Sequence, residues 1–530
     1  MKKRRCIFLQ YTTALGHLIG PMTQALKRLY DIDTVLVVRS YNAMPADLTS
    51  YGLEQLRFLE VVVTEPYLAL RSVEELPPPG ELAERAVSLE KRHGVSFLEI
   101  IRTDRHLGMG FVPNISFPRS AYGKDATYAQ TIDLICRLLD LYVGLLDKYE
   151  PIALFGLPIG IDTAPLADLA AHRGIPLRYP VKARWSQDNF HWACDRFGTW
   201  LGIEEQYKQA LSAEASPDVS AAKQSKSDAA DTKLDMPYRM KVAMRAASKQ
   251  TGILYLAKRL ATMIAREGRK RLRGRREVYG QYLLRENLLL AFQQWRFGRR
   301  IIREKPVMDT LDPSTPFVFF PLQTEPESNL MCEIPEFDNQ LTAIDLLAKT
   351  MPAGWYLVIK EHPAQTGSRL RRFWDVVRRY PNVVVAATLE GGEELLERCQ
   401  ALAMINASLG YQAAASGKPV LSFHKHFNAN HVPHMFYVTS YADVRNALSK
   451  ISGGNIHPIE QRQRAGRAFV AAMQANSFRV DDPYMREGVC GPQPIAKNVA
   501  EAVAECLIES LEMNPAGRPA IGKVESRTDA

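Results

Sequence analysis

The chain has 530 residues, 46% hydrophobic and 24% charged, with a formal net charge of +9 and a pI near 9.0. That length exceeds one ordinary core and predicts two domains with additions, soluble and globular in composition, and the positive balance favours acidic partners such as nucleic acid, an anionic membrane surface or phosphorylated substrates. The 7 cysteines are scattered without a CxxC pair, which argues against a disulfide framework or a Cys-based zinc site and fits a reducing cytosol; no apolar run is long enough to predict a spanning helix.

Met1-Lys2-Lys3-Arg4-Arg5 precedes an apolar run, as in a signal peptide. The run stops at Gln10, however, so Cys6 to Leu9 is predicted as a first buried strand. A small-residue loop through Gly16-His17 leads to a helix over Leu18 to Leu29 and a strand over Asp33 to Val38. Strand, glycine-containing loop, helix and strand make a βαβ unit without a GxGxxG fingerprint, so a dinucleotide site is not supported. Further expectations are a strand over Phe58 to Val63, helices over Val87 to Ile101 and Tyr128 to Lys148, and a strand from Pro151 to Phe155. A helix over Ala164 to His172 with Gly174 past its end and a strand over Ile175 to Tyr179 follow.

Residues 1–205 thus read as a parallel α/β domain. Residues 206–238 are predicted as a disordered linker, the aromatic-free run Ser212 to Asp235 being their clearest part. A basic helical insert is predicted over 239–305, with Arg259, Arg266, Arg269, Lys270, Arg271, Arg273, Arg275 and Arg276 among or after Ile253, Leu256, Leu260, Met263 and Ile264. A second α/β domain is predicted over 306–512 and a disordered tail over 513–530. Its strands are expected at Pro316 to Phe320, Tyr356 to Ile359 and Ala401 to Ile405, and its helices at Leu341 to Lys349, Arg369 to Arg379, Glu393 to Cys399, Tyr411 to Ser416, Tyr441 to Ile451 and Ala496 to Leu511.

Ligands in open α/β sheets bind beyond the carboxyl ends of the strands. Three such ends carry polar residues here. Lys360 and His362 flank Glu361 and share one face of an extended chain, where both can donate to a phosphate. Asn406 to Gly410 opens a helix, with Ser408 as a natural N-cap and Gly410 allowing close backbone approach. Gln323, Glu325 and Glu327 lie in the loop after Phe320, and Glu325 is a candidate base. In the first domain, His17 and Asp104 are candidates for base or phosphate contact. Arg105, Arg184 and Asp188 are candidates for acceptor binding, Arg184 as an anion fork for an acidic acceptor. Each group also has a plain structural reading, as a strand end, an ordinary cap or a solvated loop. His424, His426, His431 and His434 lack a carboxylate or cysteine that completes a zinc spacing, so a loop lining the nucleotide pocket is favoured over a metal. The basic insert lacks stacking aromatics in its densest stretch, Arg266 to Arg276, which favours anionic lipid over nucleic acid.

The run Phe317 to Ser328, the segment Val358-Ile359-Lys360-Glu361-His362-Pro363, and Asn406-Ala407-Ser408-Leu409-Gly410 with Gly417-Lys418-Pro419-Val420 together resemble the capsule polysaccharide biosynthesis family, which includes β-Kdo transferases. The resemblance covers about Pro316 to Val438, and the first domain only loosely. It implies a GT-B fold: two Rossmann-like parallel-sheet domains facing a cleft, with no metal or other cofactor and the donor nucleotide held mainly by the second. His362 and the Ser408 to Gly410 helix start would contact the phosphate and ribose of CMP. Lys360 would support that charge, and Gln323 and Glu325 would face the donor sugar. The basic insert lies outside the family's pattern. The reading is a cytoplasmic glycosyltransferase, peripheral on the inner membrane through its insert, moving Kdo from CMP-Kdo or another sugar onto a glycan or lipid-linked acceptor. The alternatives are a UDP-sugar transferase or epimerase, and a non-catalytic protein that escorts polysaccharide toward export.

Overall fold

The computed structural model describes residues 5–12, 15–39, 58–108, 114–115, 118–124, 126–183, 186, 188–213, 247, 252–272, 282–301, 305–327, 329–489 and 491–512. The expectations for Arg184, for the linker beyond 213, for Arg273 to Arg276 and for the tail beyond 512 lie outside these residues.

Both α/β domains form, each around a sheet of parallel strands. The first holds β1 (Cys6–Gln10), α1 (Gly16–Tyr30), β2 (Asp33–Val38), β3 (Glu60–Val63), α2 (Pro79–His93) and α3 (Tyr128–Tyr149). It continues with β4 (Ala153–Phe155), α4 (Ala164–His172), β5 (Leu177–Lys182) and β6 (Asn189–Ala193). The strands β3, β2, β1, β4 and β5 lie side by side in that order and run parallel, with Ile7 between Thr34 and Ala153. β1 is buried along its whole length, as expected of a strand covered on both faces.

Two local expectations fail. The single helix over Val87 to Ile101 is broken, because Gly94 closes α2 at φ +61° and Ser96 accepts from the Glu99 amide to start a new turn over Phe97–Arg102. The domain is also not wholly parallel: β6 pairs antiparallel with β5.

Helix α5 (Ile203–Ala213) leaves the first sheet, and α6 (Ile253–Leu272) and α7 (Leu284–Ile301) form the helical insert. The second domain holds β7 (Phe317–Pro321), α8 (Gln340–Thr350), β8 (Tyr356–Lys360), β9 (Val383–Ala386), α9 (Gly392–Arg398), β10 (Ala401–Met404), α10 (Leu409–Ser416), β11 (Val420–Ser422), β12 (Met435–Tyr437), α11 (Tyr441–Ser452) and α12 (Ile459–Ala475). Its order is β9-β8-β7-β10-β11-β12, parallel throughout. Both sheets therefore change direction beside their first strand, and a ligand crevice belongs there. This is the GT-B-like layout that the resemblance implies.

The domains exchange their ends, which moves the expected boundaries. Tyr207 of α5 joins the core around Phe469 of α12. After α12 the chain crosses back: β13 (Phe478–Arg479) pairs with β6, and α13 (Lys497–Glu512) packs on α1 within one apolar core that includes Leu18, Leu26, Val503 and Leu507. Apolar faces decide this exchange, because a helix buries its stripe against whichever layer lacks a cover.

Candidate functional site

The strand ends of the second sheet converge on a small cleft of about 80 Å³, whose walls include Phe319, Lys360, His362, Glu390, Ser408 and Leu409. Lys360 ends β8 and is buried. Burial, against the pull of Glu361 and Glu390, brings its ammonium down to about 8. His362 caps the short turn Pro363–Gln365, its Nδ1 accepting from the Ala364 amide at 3.2 Å. That bond assigns the ring proton to Nε2. Burial, with Lys360 and Arg369 nearby, lowers the ring to about 4, so it is neutral at pH 7. The pair offers one cation and one neutral N–H donor from a single strand end, which suits a phosphate oxygen.

Glu361, between them, points into the protein. Its Oε2 accepts from Arg369 Nε at 2.8 Å, and Arg369 Nη1 donates to Glu325. Arg369 Nη2 reaches the Gln323 carbonyl at 2.7 Å, and Gln340 Nε2 donates to Glu325 Oε1 at 2.6 Å. All three charged side chains are 1% exposed or less. This corrects Glu325 as a base in an open loop: both its oxygens are taken by Arg369 and Gln340. The triad instead ties the β7 loop to the β8 loop beneath the cleft. Gln323 contributes through its backbone, its N–H donating to Gln340 Oε1 at 2.8 Å. Insert helix α7 closes on the same loop. Gln294 Nε2 donates to Ser368 Oγ at 2.6 Å, and a Cβ at Gly367 (φ +77°) would lie 2.7 Å from the Gly298 nitrogen.

The helix-start expectations divide. Ser408 lines the cleft at the start of α10, but its side chain makes no capping bond. Gly410 faces the core: a Cβ there would sit 2.9 Å from Phe427 Cζ and 3.0 Å from Met404 Sδ, so close packing requires the glycine rather than a ligand. Asn406 points elsewhere, its Nδ2 donating to Glu333 Oε2 at 2.6 Å.

Glu333 belongs to the turn Asn329–Glu333, part of a seam against the first domain. There Arg102 Nη2 meets Asp338 Oδ2 at 2.9 Å, Asn114 Nδ2 meets Asn339 Oδ1 at 2.6 Å, and Phe197 stacks on His426 at 4.4 Å. The other histidines diverge: His434 Nε2 bonds the Ala414 carbonyl and His431 packs on Tyr207.

Asp104 lies on the first-domain side, 2% exposed, with Oδ1 accepting from the His106 and Leu107 amides. Burial raises its carboxyl to about 6, against those bonds and Arg39. Arg39 is held two-pronged by Asp162 at 2.7 and 2.5 Å beside the strand ends β2 and β4. His17 and Asp188 do not face the cleft. His17 Nε2 pairs with Asp482 Oδ1 at 3.0 Å, and Asp188 Oδ1 with Arg486 Nη2 at 2.6 Å, so both serve the returning C-terminal segment. Arg105 is exposed and bonds Tyr282.

Arg369, Glu390 and the Arg39–Asp162 pair were not singled out in the sequence. Glu390-Gly391-Gly392 was findable, since it too follows a strand end. Arg39 pairs with Asp162 across 123 positions and Arg369 reaches Glu325 across 44, so local spacing does not show either contact.

The buried ionisable groups give a pH signature. Burial holds His106, His362, His431 and His434 down to about 4 and His424 to about 3. Below pH 6.5 the unfolded chain protonates them and the folded chain does not, so stability is lost as pH falls from 6.5 toward 4. Asp104 and Asp168, raised to about 6, and Glu361, raised to about 7, act oppositely, gaining stability as pH falls through those values. His93 and His426, also held down by burial, and Asp338, also raised, enter the same balance, which leaves the histidines ahead, so acidification toward pH 5 costs stability. Melting curves from pH 7 to 4.5 are expected to fall steeply. A flat or rising Tm would contradict this account.

Residues 291–429 match the model of a family described as "Capsule polysaccharide biosynthesis protein". The match begins inside α7, so that helix, expected outside the family's pattern, is part of it, while α6 precedes it. A search of curated proteins found no match. Among solved structures, the chain is similar to a UDP-GlcNAc 2-epimerase from Neisseria meningitidis bound to UDP-GlcNAc (10% identity, TM-score 0.26, 95% of this chain and 100% of that one). It is also similar to the Methanocaldococcus jannaschii UDP-GlcNAc 2-epimerase in complex with UDP-GlcNAc and UDP (11%, 0.25, 88% and 98%) and to the glycotransferase of kitacinnamycin (12%, 0.22, 90% and 98%). Likeness at this level says nothing of activity.

Proposed function

We propose that this chain, whose donor-side segment 291–429 matches the capsule polysaccharide biosynthesis family, is a glycosyltransferase of capsule or surface polysaccharide synthesis. The observation that carries the reading is the convergence of Lys360 and His362 on the cleft where α10 begins. In this reading the donor is a nucleotide sugar, CMP-Kdo first, and its phosphate lies against Lys360 Nζ, His362 Nε2–H and the first amides of α10. Transfer breaks the bond from the anomeric carbon to the phosphate oxygen and forms one to an acceptor hydroxyl. The nucleotide leaves with the electron pair, its charge met by Lys360 and His362. With Glu325 committed to Arg369, Asp104 is the group we assign to take the acceptor's proton. The acceptor is a glycan or lipid-linked glycan on the first-domain side, and the enzyme works at the inner membrane.

Thermal shift with CMP and with UDP, on the parent and on His362→Ala, tests the reading. A CMP shift that the variant loses is the expected result. A UDP-only shift would replace the donor, and no shift with either would sink the enzyme reading.

A further inference from the structure

Helix α6 has a face that the donor chemistry does not use. Ile253, Ala257, Ala261, Ile264, Gly268 and Leu272 recur at three- and four-residue steps and so form one stripe along its 20 residues. The large side chains there are open to solvent: Ile253 is 67% exposed, Ile264 53% and Leu272 88%, with neighbouring Leu254 at 83%. The helix packs against α7, and Leu256 is its buried residue, off the stripe. Cations border the stripe, Lys258 and Arg269 along one edge and Arg271 at its end. Glu267 is the helix's single acid, and it pairs with Arg271 at 3.2 Å. No described helix is long and apolar enough to cross a membrane. A solvent-facing helix has no use for large apolar groups in a row, while a row edged by lysine and arginine matches a bilayer surface, with acyl chains below and anionic headgroups at its rim.

We propose that α6 lies in the plane of an anionic phospholipid surface, burying Ile253, Leu254, Ile264 and Leu272 among the lipid chains while Lys258 and Arg269 meet headgroup phosphates. This gives the membrane placement in our functional reading a specific contact surface. The contact does not depend on the donor assignment. Helix α6 leans on α7, and α7 grips the Gly367-Ser368 loop beside His362. Docking therefore brings the donor loop to the surface where a lipid-linked acceptor is presented.

The test is flotation of the full chain, without nucleotide, on phosphatidylcholine vesicles with and without phosphatidylglycerol. Binding is expected only with phosphatidylglycerol. Leu254→Glu/Ile264→Glu, on exposed positions, is expected to weaken it roughly tenfold with Tm and nucleotide-induced shifts unchanged. Lys258→Ser/Arg269→Ser is expected to weaken it and reduce its salt dependence. Absence of flotation, or flotation untouched by the apolar variant, would overturn the proposal. So would retention by single-stranded RNA, or a change in sedimentation of the free protein with the apolar variant, since either assigns the face to another occupant. Nucleotide binding read in parallel keeps failure here distinct from failure of the glycosyltransferase reading.

Discussion

Replacing His362 with alanine is expected to lower kcat/KM for sugar transfer by about 10²–10³-fold, the usual cost of one preorganised donor to a developing charge. Tm is expected to change by little, because the ring's fixed bond is to a single turn amide at Ala364. The neutral Nε2–H and the Lys360 ammonium sit at one strand end, so their pH dependences separate them. His362 is neutral across the working range, with its titration near 4. Lys360 titrates near 8, so activity that depends on its charge is lost as pH rises through 8. That upper limb should persist in His362→Ala and vanish in Lys360→Met. A His362→Ala enzyme with parental kcat/KM would remove the histidine from the donor site. A shared loss of Tm and activity would make its role structural.

Arg369→Met is expected to destabilise the protein by about 3–5 kcal/mol. The substitution strips Glu325 and Glu361 of their common cation while leaving both carboxylates buried. Most of the cost is uncompensated charge, so adding Glu325→Gln and Glu361→Gln should recover more than half of it. Burial raises Glu361 even with Arg369 beside it, so its charged form depends on that cation. Equilibrium denaturation of the single and triple variants measures both values. A single variant within about 1 kcal/mol of the parent, or a triple variant no better than the single, would remove the triad's structural role.

The cleft at the strand ends of the second sheet was largely legible. Strand alternation fixes which side of the chain a residue faces, so Lys360 and His362 could be placed together, and Glu361 away from them, from spacing alone. The direction rule for parallel strands then put Ser408 nearby. The same local logic misjudged residues whose partners are remote. Glu325 reads as an acid in an open loop until Arg369 closes on it, 44 positions on. His17 reads as a cleft histidine until Asp482 arrives from the far end of the chain. Gly410 satisfies the pattern of a phosphate-approaching glycine, yet its small size is required by Met404 and Phe427.

The amino-acid order by itself determined the two α/β domains, their main strands and the polar strand ends, because hydrophobic periodicity and side-chain alternation are local properties. It also determined the basic, apolar-faced character of the insert. Only the tertiary structure decided which carboxylates are already spent on internal cations, how the domains exchange α5 and α13, and that α7 braces the Gly367-Ser368 loop. Those outcomes rest on which buried charge and which apolar face find a partner, and a buried charge must be paired by whatever the fold brings within reach.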